Sequence, residues 1–343
     1  MKDYFAFQWH ITDECDQRCK HCYIFAEGHP KLVVTPWQQL VHTLANIEDM
    51  AAQMDRTPYL YITGGDPILH PHFWDLLALV HAHDIPFTLM GNPFHLTDDV
   101  CRRMRELGCR KYQLSIDGLR ATHDYFRKQG SYEATLAAIK TLRRADIRCA
   151  IMSTVSATNI DELPELIDVV VAHEADLFAF GRYCPTSEDK AHRHTWHIEP
   201  QRYRTFLDRC WHKFELYKDR GTTFSLKDHL WTLYLYERGL WTIPEGLDED
   251  TIYDGCHCGD CHFTVCADGR LMACRRFESY VGTVAESMYD VFHGPKMEAY
   301  RAHERFDKCG RCELLRFCRG CPAVAYGYTG HFYAPDPQCW KQV

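Results

Sequence analysis

Three cysteines, Cys15, Cys19 and Cys22, stand in a Cys-x3-Cys-x2-Cys run just after an apolar, strand-like segment, Phe5 to Thr12. Thiolates bind iron–sulfur clusters, and three in one short loop can hold three irons of a [4Fe–4S] cube. The loop offers no fourth cysteine, so one iron is left open to an outside ligand. A second concentration lies at the other end of the chain, where ten of the 18 cysteines follow residue 255. Paired Cys-x2-Cys units such as Cys309 and Cys312 also build tetrahedral zinc sites. Taken alone, this region admits a zinc ribbon as readily as iron. Cys101, Cys109, Cys149 and Cys210 lie in expected helices or strands, where packing is the default for cysteine.

Segments 4–11, 59–62, 86–90, 111–116, 147–155 and 177–182 read as strands, short and apolar on both faces as buried parallel strands are. Helical stretches alternate with them. The first is expected to start at Thr35 as N-cap with Pro36 at the first helical position. The third starts at Thr97 with Asp98 and Asp99 in its first turn. Six βα repeats imply a parallel α/β sheet, with sites at the carboxyl ends of the strands. The cysteine loop and Gly64-Gly65-Asp66-Pro67 both fall at such ends. Glycines at 64 and 65 let the backbone come close to a ligand, and Asp66 can accept charge-assisted hydrogen bonds from an ammonium. Residues 221–254 bridge to a cysteine-rich module at 255–343, through an amphipathic helix near 227–239.

Composition excludes several classes. With 343 residues, 46% hydrophobic and 25% charged, the chain is an ordinary globular one. A net charge of −8 with no basic stripe argues against nucleic acid as a partner. No apolar run approaches the ~20 residues that span a bilayer. The N-terminus lacks a signal-peptide layout. A cytoplasmic protein is expected, where thiols stay reduced and cysteines serve metals or redox chemistry.

The cysteine triple after the first strand and Gly64-Gly65-Asp66-Pro67 after the second make the chain resemble the radical S-adenosylmethionine (SAM) enzymes. The resemblance implies a partial (β/α)6 TIM-like barrel over residues 1–220. It implies that the open iron chelates SAM, whose one-electron cleavage releases a 5′-deoxyadenosyl radical. His21 then lies near the adenine, and Asp66, where the family usually has glutamate, meets the SAM ammonium, followed by Pro67. Ser115 and Asp117 match the family's Ser-x-Asp-Gly segment, with Ser115 toward the SAM carboxylate. Arg127 is a candidate clamp for that carboxylate. Asn92, Asn159 and Arg182, just past strands three, five and six, complete the expected cofactor set.

The C-terminal cysteines resemble the SPASM domain of peptide-modifying radical SAM enzymes. Twelve residues separate Cys256 from Gly269, and Cys274 follows in a Gly-x4-Cys run. Cys309-x2-Cys312-x5-Cys318 fits as well. Two residues separate Cys318 from Cys321 where the family usually has three. By carry-over, Cys256, Cys274 and Cys321 hold one [4Fe–4S] cluster, and Cys309, Cys312, Cys318 and Cys339 another, giving three clusters with the SAM-binding one. Cys261 is the favoured fourth ligand of the first, ahead of Cys258 and Cys266. An open iron that captures a substrate cysteine is the competing arrangement.

The resemblance implies a maturase acting on a ribosomal peptide, with a thioether cross-link as the favoured product. Carbon–carbon cross-linking and epimerisation remain alternatives, as does a zinc- or cluster-bearing scaffold without catalysis. Anaerobic sulfatase maturation is disfavoured: that branch has an aspartate after the Gly-x4-Cys cysteine, and here Arg275 follows Cys274. The expected partners are a peptide with a leader and an electron donor such as flavodoxin or ferredoxin. With the first strand near residue 4, leader recognition is expected from a separate small protein or from the barrel and the 221–254 bridge.

Overall fold

The computed structural model describes residues 4–25, 32–186, 192–248 and 251–343. All six expected strands form: β1 (Tyr4–His10), β2 (Thr57–Thr63), β3 (Phe87–Met90), β4 (Lys111–Ser115), β5 (Arg148–Val155) and β6 (Leu177–Arg182). They pair in parallel in chain order. Short strands β7 (Thr223–Phe224), β8 (His262–Val265), β9 (Arg270–Met272) and β10 (Tyr280–Thr283) complete a single sheet ordered β10-β9-β8-β1-β2-β3-β4-β5-β6-β7.

The sheet runs through both expected boundaries. β7 pairs with β6, and β8 lies parallel to β1, with Phe263 opposite Phe7. The C-terminal module therefore begins as an added strand on the free edge of β1. That edge would otherwise present unpaired amides and carbonyls.

Helices α1 (Trp37–Gln53), α2 (Phe73–Ala82), α3 (Asp98–Glu106), α4 (Arg120–Phe126), α5 (Ser131–Arg144), α6 (Leu163–Ala172), α7 (Pro200–Tyr217) and α8 (Leu230–Glu237) accompany the parallel strands. Three short ones, α9 (Met288–Phe292), α10 (Pro295–Glu298) and α11 (Pro322–Thr329), belong to the module. In α1 the buried Leu40, Leu44, Ile47 and Ala51 recur at helical spacing and form one apolar face. Thr97 caps α3 as expected, its hydroxyl accepting from Val100 N at 3.3 Å.

Thr35 does not cap α1. Its hydroxyl donates to Ala267 O at 2.8 Å, and Pro36 takes the N-cap position. The same helix holds the module through Asn46, whose amide donates to Val284 O at 3.1 Å and whose carbonyl accepts from Met288 N at 3.0 Å.

The strands are also not apolar on both faces. In β1, Phe5, Phe7 and Trp9 are buried while Ala6 and Gln8 are half open; in β2, Leu60 and Ile62 are buried while Tyr59 and Tyr61 are half open. β4 alternates in the same way, with Lys111, Gln113 and Ser115 half open. Alternation with period two gives the sheet one packed face and one polar, accessible face. The accessible face carries the polar side chains that a ligand could meet.

Candidate active site

Gly64 and Gly65 do something different from what their type suggests. A Cβ on Gly64, at φ 153°, would lie 2.1 Å from Thr12 O, and one on Gly65 would lie 2.2 Å from Glu14 O. Gly65 N and Asp66 N donate to Thr12 O and Glu14 O, both at 2.7 Å. The glycines thus press the end of β2 against the chain's own cysteine loop. Pro67 then opens a 3-10 turn, Pro67–Leu69.

This contact drives Asp66 into the interior. The residue is fully buried, and neither carboxylate oxygen has a side-chain or backbone partner meeting hydrogen-bond geometry. Burial, with Asp16 adding repulsion, pushes its carboxyl up to about 7. Only the Asn92 and Ile68 amides act on it favourably; a buried carboxylate without a cation is costly, and a ligand ammonium is the kind of group that would satisfy it. Asp66 should therefore titrate in SAM binding. Below pH 7 the SAM-free carboxyl is protonated and gives up its charge-assisted contact. Affinity is expected to fall about fivefold from pH 7 to pH 6, as the ionised fraction drops from about a half to about a tenth, and about tenfold per pH unit below that. Calorimetry across pH 5.5–7 should show this slope with the parent and a flat, weak profile with Asp66→Asn.

The three loop cysteines are half-buried and unbridged. Burial raises all three thiols, Cys19 to about 11, and the three act on one another as neighbours. Metal binding must deprotonate them, and nearby donors favour that. Asn92 Nδ2 donates to Cys15 Sγ at 3.1 Å and to Asp16 Oδ1 at 3.0 Å. Arg127 Nη1 lies 3.8 Å from Cys19 Sγ. Three thiols with amide and guanidinium donors beside them fit an iron–sulfur cluster, and the orphaned Asp66 fits SAM next to it.

Arg127 is held by Asp117, whose Oδ2 accepts from Nε at 2.5 Å and whose Oδ1 accepts from Thr154 N at 2.8 Å. Burial pushes the Asp117 carboxyl up, but Arg127, His21 and His123 outweigh it and hold it at about 2. His21 lies 3.5 Å from Asp117, and Arg127 Nη2 lies 3.4 Å from His21 Nε2. Burial keeps the His21 ring neutral, at about 4, and its Nδ1 has no partner. Arg127 is thus a positive charge fixed against the cysteine loop. Arg127→Gln should make the cluster harder to reduce, by on the order of 50 mV, equivalent to ~1 kcal/mol for one electron. A redox titration followed by electron paramagnetic resonance would read this; an unchanged potential would count against it.

Ser115 ends β4, half-buried, opposite Met152. Asn159 is turned inward as a brace: its Nδ2 donates to Asp117 O at 2.6 Å and Thr154 O at 2.8 Å, and its Oδ1 accepts from Ser156 N at 2.8 Å. Arg182 departs furthest from expectation. It is buried, with Nε donating to Asp228 at 2.9 Å and Nη1 and Nη2 to Asp336 at 2.7 and 2.8 Å. Its donors are committed to carboxylates from the bridge and the module, so it ties β6 to the C-terminus.

Asp336 also accepts from Cys321 N at 2.7 Å. The short Cys318–Cys321 spacing is accommodated at Gly320, φ 59°, where a Cβ would meet the Asp336 side chain at 2.5 Å. Cys256, Cys274 and Cys321 are electrostatic neighbours, and so are Cys309, Cys312, Cys318 and Cys339. Burial lifts Cys256 and Cys309 to about 12. Cys266 packs in the core, its Sγ 3.3 Å from Met272 Sδ. The carbonyl of Cys261 accepts from Ala6 N on β1 at 3.1 Å. Cys101, Cys109, Cys149 and Cys210 are fully buried, as expected.

One cysteine carried no signal in the sequence. Cys184, just past β6, places Sγ 2.8 Å from Ala323 O and 3.4 Å from Arg276 O, at the seam between barrel and module. Arg276 in turn reaches Cys321 Sγ at 3.4 Å. Among the described residues no helix is long and apolar enough to cross a membrane.

Residues 9–170 match the radical SAM superfamily. The AdoMet-dependent heme synthase of Methanosarcina barkeri is 26% identical, covering 96% of this chain and 95% of that protein. The mycofactocin maturase MftC of Mycolicibacterium smegmatis is 27% identical over 49% of this chain and 42% of its own length. The crystal structure of Streptococcus suis SuiB bound to S-adenosylmethionine superposes with a TM-score of 0.73 and 17% identity, covering 98% of this chain and 77% of that one. The site and these matches agree: residues 9–170 form a radical SAM domain, and the chain is an enzyme in which a cysteine-rich C-terminal region follows that domain.

Proposed function

We propose that this enzyme modifies a peptide, taking a hydrogen atom from an unactivated carbon and joining that carbon to a cysteine sulfur of the same peptide. One observation carries the radical chemistry: three neighbouring free cysteines lie beside a buried carboxylate, Asp66, that has no cation or side-chain donor to balance it. When bound, cluster and SAM supply the one-electron cleavage that generates the abstracting radical. The protein's own residues bind and orient. Asp66 takes the ammonium, Ser115 the carboxylate side, and His21 the adenine side. Arg127 and Asn92 stabilise the thiolates. The open sheet face with Tyr59, Tyr61, Lys111 and Gln113 receives the substrate.

Thioether formation removes one hydrogen from carbon and one from sulfur. They leave as a hydrogen atom, a proton and an electron, so an electron acceptor is required. Two auxiliary [4Fe–4S] clusters, held by the Cys256 and Cys309 groups, fit that need, with flavodoxin or ferredoxin supplying the electron that starts the reaction. The similarity to MftC supports a peptide substrate.

A second reading has its own observation. The heme synthase match spans nearly the whole of both chains, whereas the MftC match spans about half of this one. That favours a heme-type tetrapyrrole. Sulfatase maturation has less support, because the residue after Cys274 is Arg275, whose guanidinium lies over the Tyr23 ring at 4.5 Å.

Anaerobic turnover separates the two readings. A cysteine-containing peptide encoded near the gene should lose two hydrogens per cross-link and lose free thiol in step, as mass spectrometry would show. An unchanged peptide together with formation of heme from a tetrapyrrole precursor would overturn the peptide reading in favour of the second.

A further inference from the structure

We infer that Cys184, on the barrel side of the seam, is the fourth thiolate ligand of the first auxiliary cluster. The inference rests on the reading that the module holds iron–sulfur clusters.

The geometry begins with where the thiol is held. Ala323, whose carbonyl lies 2.8 Å from Cys184 Sγ, is two residues past Cys321; Arg276, whose carbonyl lies 3.4 Å away, is two residues past Cys274. The sulfur therefore sits between the chain segments of two ligands that belong to one group. Arg276 closes the arrangement from the other side, its guanidinium 3.4 Å from Cys321 Sγ and bonded to Arg182 O. Cys274 and Cys321 are both near enough to add to the upward push of burial on the Cys184 thiol.

A separate observation fixes the distance across the seam. Arg182, two residues before Cys184, is clamped to Asp336, and Asp336 accepts from Cys321 N. Two short, buried links therefore join the loop after β6 to the segment that carries Cys321. Such bracing is how supporting contacts hold a metal ligand in place.

The other candidates fit less well. Cys258 is only two residues from Cys256, which strains ligation of one cube by both. Its thiol does neighbour Cys256, Cys274 and Cys321, as well as Asp260, Tyr300 and Tyr333, so Cys258 is the rival that the test must separate from Cys184. The Cys261 main chain is tied to β1 at Ala6. Cys184 reaches the cysteine group from a different element, so its approach is independent of the Cys256–Cys261 loop.

The consequence is functional. A cube closed by four protein thiolates has no iron free for a substrate thiolate. The first auxiliary site then acts as an electron acceptor and leaves the substrate sulfur to be held elsewhere. It also bonds barrel to module through iron.

The test uses a Cys15→Ala/Cys19→Ala/Cys22→Ala protein, reconstituted anaerobically, in which only auxiliary clusters remain, about eight irons at four per cluster. Adding Cys184→Ala should alter the paramagnetic resonance of one cluster and make it respond to added 2-mercaptoethanol, with the parent unresponsive. Cys184→Ser, which keeps a donor oxygen and guards against loss of folding, should retain the iron with a shifted spectrum. Cys258→Ala and Cys261→Ala should match the parent. Parental iron, spectrum and thiol insensitivity in Cys184→Ala would overturn the assignment, as would the same cluster changing in Cys258→Ala or Cys261→Ala alone. Zinc in place of iron in the parent would instead overturn the cluster reading, and this inference with it.

Discussion

Cys19→Ala is expected to abolish reductive SAM cleavage, bringing 5′-deoxyadenosine to the level of an enzyme-free control, and to remove about four irons, the content of one cube. No neighbouring thiol can substitute. Asn92 Nδ2 and Gln17 N donate to Cys15 Sγ and Arg127 faces Cys19, and the ligand-type groups near the loop, Asp16, Asp66 and His95, are oxygen and nitrogen donors and not thiols. Cys15→Ala and Cys22→Ala should behave alike. Asn92→Ala should keep its iron, because it removes a hydrogen bond to a ligand and leaves the ligand itself. Retained 5′-deoxyadenosine formation by Cys19→Ala, measured chromatographically under dithionite, would contradict the assignment.

The largest effect on stability is expected at Arg182. Removing a buried guanidinium leaves Asp228 and Asp336 uncompensated, and breaking such a pair typically costs ~3–5 kcal/mol. Both carboxylates are almost fully buried, so solvent does little to soften the loss. Arg182→Met should lower the unfolding midpoint by several degrees. It should also loosen the cysteine group around Cys321, because Asp336 serves both partners. Arg182→Met/Asp228→Asn/Asp336→Asn should recover part of the loss, because the buried charges then disappear together. Differential scanning calorimetry and iron analysis of the same preparations would read both effects. A midpoint within a degree of the parent would contradict this role.

Much of the fold follows from local pattern. β1 to β6 fall within about two residues of their expected bounds, because short apolar runs separated by helical stretches leave few alternatives. Thr97 announces the start of α3 through its hydroxyl and two following aspartates. What pattern does not carry is long-range pairing. β8 has four residues and joins β1 from the far end of the chain. No property of His262–Val265 by itself names that partner.

The site divides in the same way. Cys15, Cys19, Cys22 and Asp66 are legible because spacing and chemistry coincide. Asn159 and Arg182 are polar residues at strand ends, and composition cannot distinguish one that faces a ligand from one that braces a turn or buries a charge. Thr35 could cap a helix by type, yet its hydroxyl is spent on Ala267, far along the chain. Gly64 and Gly65 signal a close approach without saying to what; here it is the cysteine loop. Cys184 has no spacing partner at all, and only folding brings it to Cys274 and Cys321.

The central claim is that these cysteines hold iron–sulfur clusters that cleave SAM. Metal analysis of anaerobically purified protein, combined with Mössbauer spectroscopy of a ⁵⁷Fe-reconstituted sample, tests it most directly. About 12 irons per chain, all in [4Fe–4S] form at four per cluster, with one cluster's spectrum changing on addition of SAM, is the predicted result. Stoichiometric zinc with little iron, and a spectrum indifferent to SAM, would contradict it.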